Sequence, residues 1–134
     1  MRNMSTIPQI VTTEWLAERL DDPKLRLVDA TTFMKPLQDG NITLTSGKDS
    51  YNSAHIPGAI FADVMNELSH PEADKPFTVP PRDYFIEKVT VLGIGDQDTY
   101  TVIYDQGALV GVPVVAPYWA SRLRWQLLFE GFEN

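Results

Sequence analysis

The chain has 134 residues, one domain's length, with 43% hydrophobic and 22% charged residues and a net charge of −7, which leaves no electrostatic footprint for nucleic acid. Its longest apolar stretch, Ala108 to Ala116, is broken by Gly111 and Pro113 and falls short of the ~20 residues a membrane helix needs. It contains no cysteine and only His55 and His70 as histidines, so disulfides, thiolate metal centres and thiol catalysis within the chain are excluded, and neither a metal nor a cofactor is expected.

The N-terminal segment MRNMSTIPQIV has one arginine and no apolar core of signal-peptide length, so the expected compartment is the cytoplasm. Ile10-Val11 reads as a short strand. Thr12 or Thr13 then serves as the N-cap of a helix with Glu14 in its first turn and Trp15, Leu16 and Leu20 on one face. Leu25–Asp29 reads as a parallel strand with a carboxylate at its C-terminal end. Residues 33–50 are polar and rich in turn formers, predicting an irregular loop. Tyr51 to His55 fits a helical turn, and Pro57-Gly58 a tight turn, because proline presets φ and glycine accepts φ > 0. Ala59-Ile60-Phe61 is a short apolar strand, followed by a loop from Met65 to Val79.

Pro80-Pro81 opens a helix whose buried stripe is Tyr84, Phe85, Val89 and Leu92, with Gly93 at its C-terminal stop. Tyr100–Tyr104, YTVIY, is the strongest strand in the chain, and Asp105 ends it. A last helix runs from about Tyr118 to Glu130, with Gly131 as its stop. Strands alternating with helices predict an α/β domain on a mainly parallel sheet.

Several of these segments, in this order, resemble the rhodanese family of sulfurtransferases. HIPGA at His55–Ala59 matches the family's turn and VDA at Val28–Ala30 its strand-end aspartate. VLGIGDQDTYTVIYD at Val91–Asp105 is similar to its helix end and central strand. ASRLRWQLLFEGFEN at Ala120–Asn134 resembles the helix after the active loop, with Arg122 and Trp125 in matching places. The resemblance implies a rhodanese-like α/β fold. It also implies a following strand beside residues 100–104, which is missing from this chain. Sulfur-transferring members carry a cysteine directly after the central strand; here that position is Asp105. The N-terminal domain of two-domain thiosulfate and 3-mercaptopyruvate sulfurtransferases also has aspartate there.

The family therefore implies a non-catalytic N-terminal domain, with a C-terminal rhodanese domain or a second copy of the chain as partner and a small anionic sulfur donor as ligand. A stand-alone, partner-binding rhodanese-like module is the alternative. Arg122 and His55 are the candidate donor-binding residues, while Pro57 and Gly58 are structural. Arg122 has a surface reading as well, and His55 that of a cap that hydrogen-bonds a loop carbonyl. Asp105 as a phosphatase-type nucleophile would call for a second aspartate two residues on, and position 107 is Gly. Trp119 and Trp125 read as core or interface aromatics, and Asp29 and Asp63 as residues that fix loop backbone at strand ends. The apolar loop around 108–116 is expected to be covered by protein.

Overall fold

The computed structural model describes residues 8–107 and 118–133. Helix α1 spans Thr13–Ala17 and is capped by Thr12, whose hydroxyl accepts the Trp15 N–H. Strand β1, Leu25–Asp29, lies at the centre of a three-stranded parallel sheet. On one side it pairs with β4, Ile60–Phe61, and on the other with β5, Tyr100–Tyr104. This is the α/β layout expected from the alternation of elements.

Side chains alternate across β1, so Val28 joins one core and Leu27 the other. The larger core lies under helices α3, Arg82–Val91, and α4, Tyr118–Phe129. It contains Val28, Phe85, Val89, Trp119, Leu123 and Leu127. The opposite face is covered by α1 and by Tyr51, around Leu16, Leu27 and Ala59. Helix α3 stops in a left-handed Gly93, with φ +84. The Ile94 N–H returns to the Val89 carbonyl and the Gly93 N–H to that of Thr90, a pattern that satisfies two of the last carbonyls of the helix.

Three expectations are corrected. Ile10-Val11 forms no strand: Ile10 is 83% exposed and no strand among the described residues offers it a ladder. Residues 33–50 are not irregular. Thr32–Pro36 (β2) and Ile42–Ser46 (β3) form an antiparallel hairpin, and Lys48–Ser53 a short helix, α2. The hairpin turns on Asp39, whose carboxylate accepts the Asn41 N–H, and on Gly40. Finally, the helical turn placed at Tyr51–His55 ends at Ser53, because Ala54 is already extended. Smaller shifts follow the same logic. Ala59 closes the turn before β4, Pro81 is the N-cap of α3, and of its predicted stripe only Phe85 and Val89 are fully buried.

The Pro57-Gly58 turn is as expected. The Ala59 N–H donates to the Ile56 carbonyl at 3.0 Å and Gly58 has φ +84, the geometry of a type II turn. A Cβ on Gly58 would meet nothing within 4 Å, so only backbone strain opposes a side chain there. Gly58→Val is expected to cost about 1–3 kcal/mol, read as a lower urea midpoint with an unchanged slope; an unchanged midpoint would show that the turn adapts freely.

Strand β5 has a single strand neighbour among the described residues. The Tyr100 N–H bonds to Lys24 and the Tyr104 carbonyl accepts Ala30 N–H. In a parallel ladder alternate residues face opposite sides, so Thr101 and Ile103 direct their backbone groups to the unpaired edge.

Candidate functional site at the C-terminal edge of the sheet

Each of the three parallel strands has an aspartate at its C-terminal end: Asp29 is the last residue of β1, Asp63 lies two residues beyond β4 and Asp105 directly follows β5. The C-terminal edge of a parallel sheet is where open α/β domains place ligands, so these three carboxylates define the site's floor. Each is committed to backbone. Asp63 accepts the N–H and side-chain amide of Asn66, both at 3.0 Å, and the Ser46 hydroxyl, tying β4 to the hairpin. Asp29 is fully buried, and its Oδ1 accepts both the N–H and the hydroxyl of Thr31, at 2.9 and 2.6 Å. Thr31 Oγ1 in turn accepts the Gln106 N–H, and Gln106 Nε2 donates to Ser50. The end of β1 thus anchors the segment leaving β5.

Asp105 directly follows β5 at the C-terminal edge of the sheet. One carboxylate oxygen accepts the Gly107 N–H and the other the Ala120 N–H, each at 2.8 Å. Ala120 lies in the first turn of α4, whose free N–H groups and dipole favour an anion. Both of these N–H groups are therefore occupied by the protein's own carboxylate. Among the described residues no group of three or more His, Cys, Asp or Glu could hold a metal ion.

His55 is exposed on the α1 side of the sheet. Its Nδ1 lies 2.7 Å from the Tyr51 carbonyl, and its ring stacks on Tyr51 at 3.8 Å. The carbonyl it meets belongs to helix α2 and not to a loop, and the other ring nitrogen has no partner among the described residues. Arg122 lies on the opposite, α3–α4 side and no described contact joins it to His55. It is half-buried, not a free surface charge: Nη2 donates to the Phe77 carbonyl at 2.6 Å and Nε is buried without a partner among the described residues. Burial holds its pKa below the ordinary arginine value. Phe77, whose own φ is +62, packs its ring at a 32° tilt against Trp119 with centroids 4.3 Å apart, so Arg122 and Trp119 together pin the 65–79 loop against α4. Trp119 is core, whereas Trp125 is half-exposed. The coverage expected for the loop around 108–116 lies outside the described residues.

Tyr104 has no place among the sequence-derived site residues. Its phenol oxygen accepts the Ile56 N–H at 3.2 Å, holding the HIPG turn to the end of β5. Burial pushes its pKa from 10.0 up to about 12, and the nearby Asp29 carboxylate works in the same direction against the Ile56 hydrogen bond. The folded protein thus holds this proton more tightly than the unfolded chain. The resulting stability is fully present below pH 10 and is lost as pH rises towards about 12. Tyr104→Phe is expected to flatten the loss of stability in that window and to remove the last phenolate step at 295 nm. An unaltered alkaline limb would show that Tyr104 does not contribute to it.

A family model for the rhodanese-like domain matches residues 12–115, and the chain belongs to the rhodanese-like domain family. Its relatives include the 3-mercaptopyruvate sulfurtransferase of Escherichia coli, 33% identical over 92% of this chain and 39% of that protein. A mitochondrial thiosulfate/3-mercaptopyruvate sulfurtransferase of Arabidopsis thaliana is 28% identical over 98% of this chain and 31% of its own length. The crystal structure of SseA, a 3-mercaptopyruvate sulfotransferase from Escherichia coli, matches with a TM-score of 0.65 and 29% identity, over 90% of this chain and 40% of that one. The chain therefore spans between 31% and 39% of the length of the curated relatives it matches. No helix among the described residues is long and apolar enough to cross a membrane.

Proposed function

We propose that this chain is the N-terminal, cysteine-free domain of a two-domain thiosulfate or 3-mercaptopyruvate sulfurtransferase, forming one wall of the cleft that admits an anionic sulfur donor. The observation that carries this reading is the Asp105 carboxylate, held by the Gly107 and Ala120 N–H groups at the end of β5. A carboxylate cannot carry a persulfide, so the sulfur must be received by a cysteine outside these 134 residues. Within this reading Arg122 and His55 face the donor from opposite sides of the sheet. Arg122 keeps Phe77 with one nitrogen while its other N–H groups attract the anion. The proposed compartment is the cytoplasm, tested by cell fractionation.

Incubating the 134-residue protein with thiosulfate and cyanide, or with 3-mercaptopyruvate and a thiol, is expected to give no product above buffer. Turnover clearly above that level would overturn the division of labour. The two-domain part is tested by reading the open reading frame past Asn134. Continuation into a second rhodanese-like segment with a cysteine after its central strand supports it, and a stop codon leaves the stand-alone partner-binding module.

A further inference from the structure

Two buried donors near the start of α4, Trp119 Nε1 and Arg122 Nε, have no acceptor among the described residues. Three residues apart, they are neighbours on one helix face. Both side chains touch Phe77, Trp119 through the ring and Arg122 through the carbonyl. Buried N–H groups are nearly always bonded, so an orphaned pair calls for a specific cause. Arg122 also lacks a counter-charge. No carboxylate among the described residues lies within ion-pair distance of it, although a partly buried cation ordinarily has one. The N–H groups of Nε and Nη2 share one edge of a guanidinium, spaced for two oxygens of a single oxoanion. Here Phe77 sets one carbonyl oxygen on Nη2, at 2.6 Å, and leaves Nε unbonded. The edge is half used.

The Phe77 contact is one the loop can give up. A φ of +62 is a conformation that a bulky residue avoids. Residues 70–78 are closed on themselves by the His70 N–H, which donates to the Thr78 carbonyl at 2.7 Å. Among the described residues the bond from Arg122 is the one hydrogen bond that joins this loop to the rest of the molecule. We infer that Trp119 Nε1 and the Nε–Nη2 edge of Arg122 form an oxoanion seat latched by the Phe77 carbonyl, and that a carboxylate or sulfur oxoanion binds there by displacing it. This deepens the donor-binding role proposed for Arg122 and rests on it. The outer N–H groups draw the anion in while Phe77 is in place, and the covered edge holds it once Phe77 has left. A neutral carbonyl is exchanged for a charged acceptor with two oxygens, the stronger partner for a guanidinium, and Phe77 leaves its left-handed backbone. The first change needs the anion, so the loop stays shut without it.

The test is an NMR titration of the full 134-residue chain, following the Trp119 indole N–H, the Arg122 Nε N–H and the Arg122 Cζ signals. Sodium thiosulfate is the sulfur-oxoanion probe, sodium pyruvate the carboxylate probe and sodium chloride at matched ionic strength the control. All three signals are expected to move saturably with at least one probe and not with chloride, and the tighter probe names the group the seat takes. Arg122→Lys keeps the charge without the fork, so the apparent affinity read at Trp119 should fall at least about tenfold. Phe77→Ala loosens the latch and should tighten binding by about threefold or more. Saturable movement of Cζ with Nε and Trp119 unmoved overturns the seat and leaves the donor-binding role standing. No saturable response at Arg122, or equal movement in chloride, counts against both. An Arg122→Lys chain that binds as tightly as the unaltered one, or a Phe77→Ala chain that binds more weakly, also overturns the seat. Should either variant fail to fold, the titration of the unaltered chain decides.

Discussion

Asp105→Ala is expected to lower the stability of the chain by about 2–4 kcal/mol, because it removes two hydrogen bonds to an ionised acceptor, each commonly worth about 1.5–3 kcal/mol before relaxation and water substitution. Both acceptor oxygens are engaged, one with the start of the post-β5 segment and one with the first turn of α4. The substitution therefore uncouples the strand from the helix that covers it. Trp119 and Ala120, both buried in that first turn, should lose order with it, visible as a loss of near-ultraviolet dichroism before the global transition. Asp105→Asn retains one acceptor and opposes the other N–H with an amide, so it should fall between the two. A urea midpoint for Asp105→Ala within about 0.5 kcal/mol of the unaltered chain, the range of an inconsequential surface change, would show that the carboxylate is not the tie.

Asp29→Ala should be of similar size, about 2–4 kcal/mol, for a different reason. Thr31 is buried, and its N–H and hydroxyl both depend on Asp29 Oδ1. Removing that oxygen leaves a buried donor unsatisfied, which costs more than the bond itself contributes. The effect propagates to Gln106 through the Thr31 hydroxyl. The second oxygen, Oδ2, is buried without a hydrogen-bond partner among the described residues, yet the carboxylate is close enough to raise the Tyr104 pKa. A double-mutant cycle with Tyr104→Phe measures that relation. Coupling of at least about 0.5 kcal/mol is expected for groups that interact directly, and additivity would separate the two residues.

Local pattern carried much of the fold. β1 and β5 were legible to the residue because each is a run of strand formers closed by an aspartate, and Gly93 and Gly58 were legible because only glycine suits those turns. The β2–β3 hairpin was not, although Asp39-Gly40 signals a turn. Its strands are half-exposed and carry threonine, lysine and serine, so they lack the apolar run that marks a strand in a parallel core. At the site, Asp105 was legible from its place after the strongest strand, but its partners were not. The Ala120 N–H lies fifteen residues away, and the route between is not local. Arg122 and Tyr104 make the same point more strongly. Their partners, Phe77 and Ile56, are 45 and 48 residues distant, and which carbonyl or N–H meets a side chain is decided by tertiary packing alone.

The edge of β5 that faces away from β1 has no strand partner among the described residues, and this bears on how the chain behaves by itself. YTVIY has no charge, proline or bulge to discourage annealing, the devices by which natural sheets keep their rims from templating other chains. Its four outward amide and carbonyl groups offer a sticky end to any extended segment passing by. Mutual repulsion at −7 slows such encounters only while ionic strength is low. A rim of this kind couples monomer survival to association, because every extended segment that adds there removes the chain from the folded monomer pool.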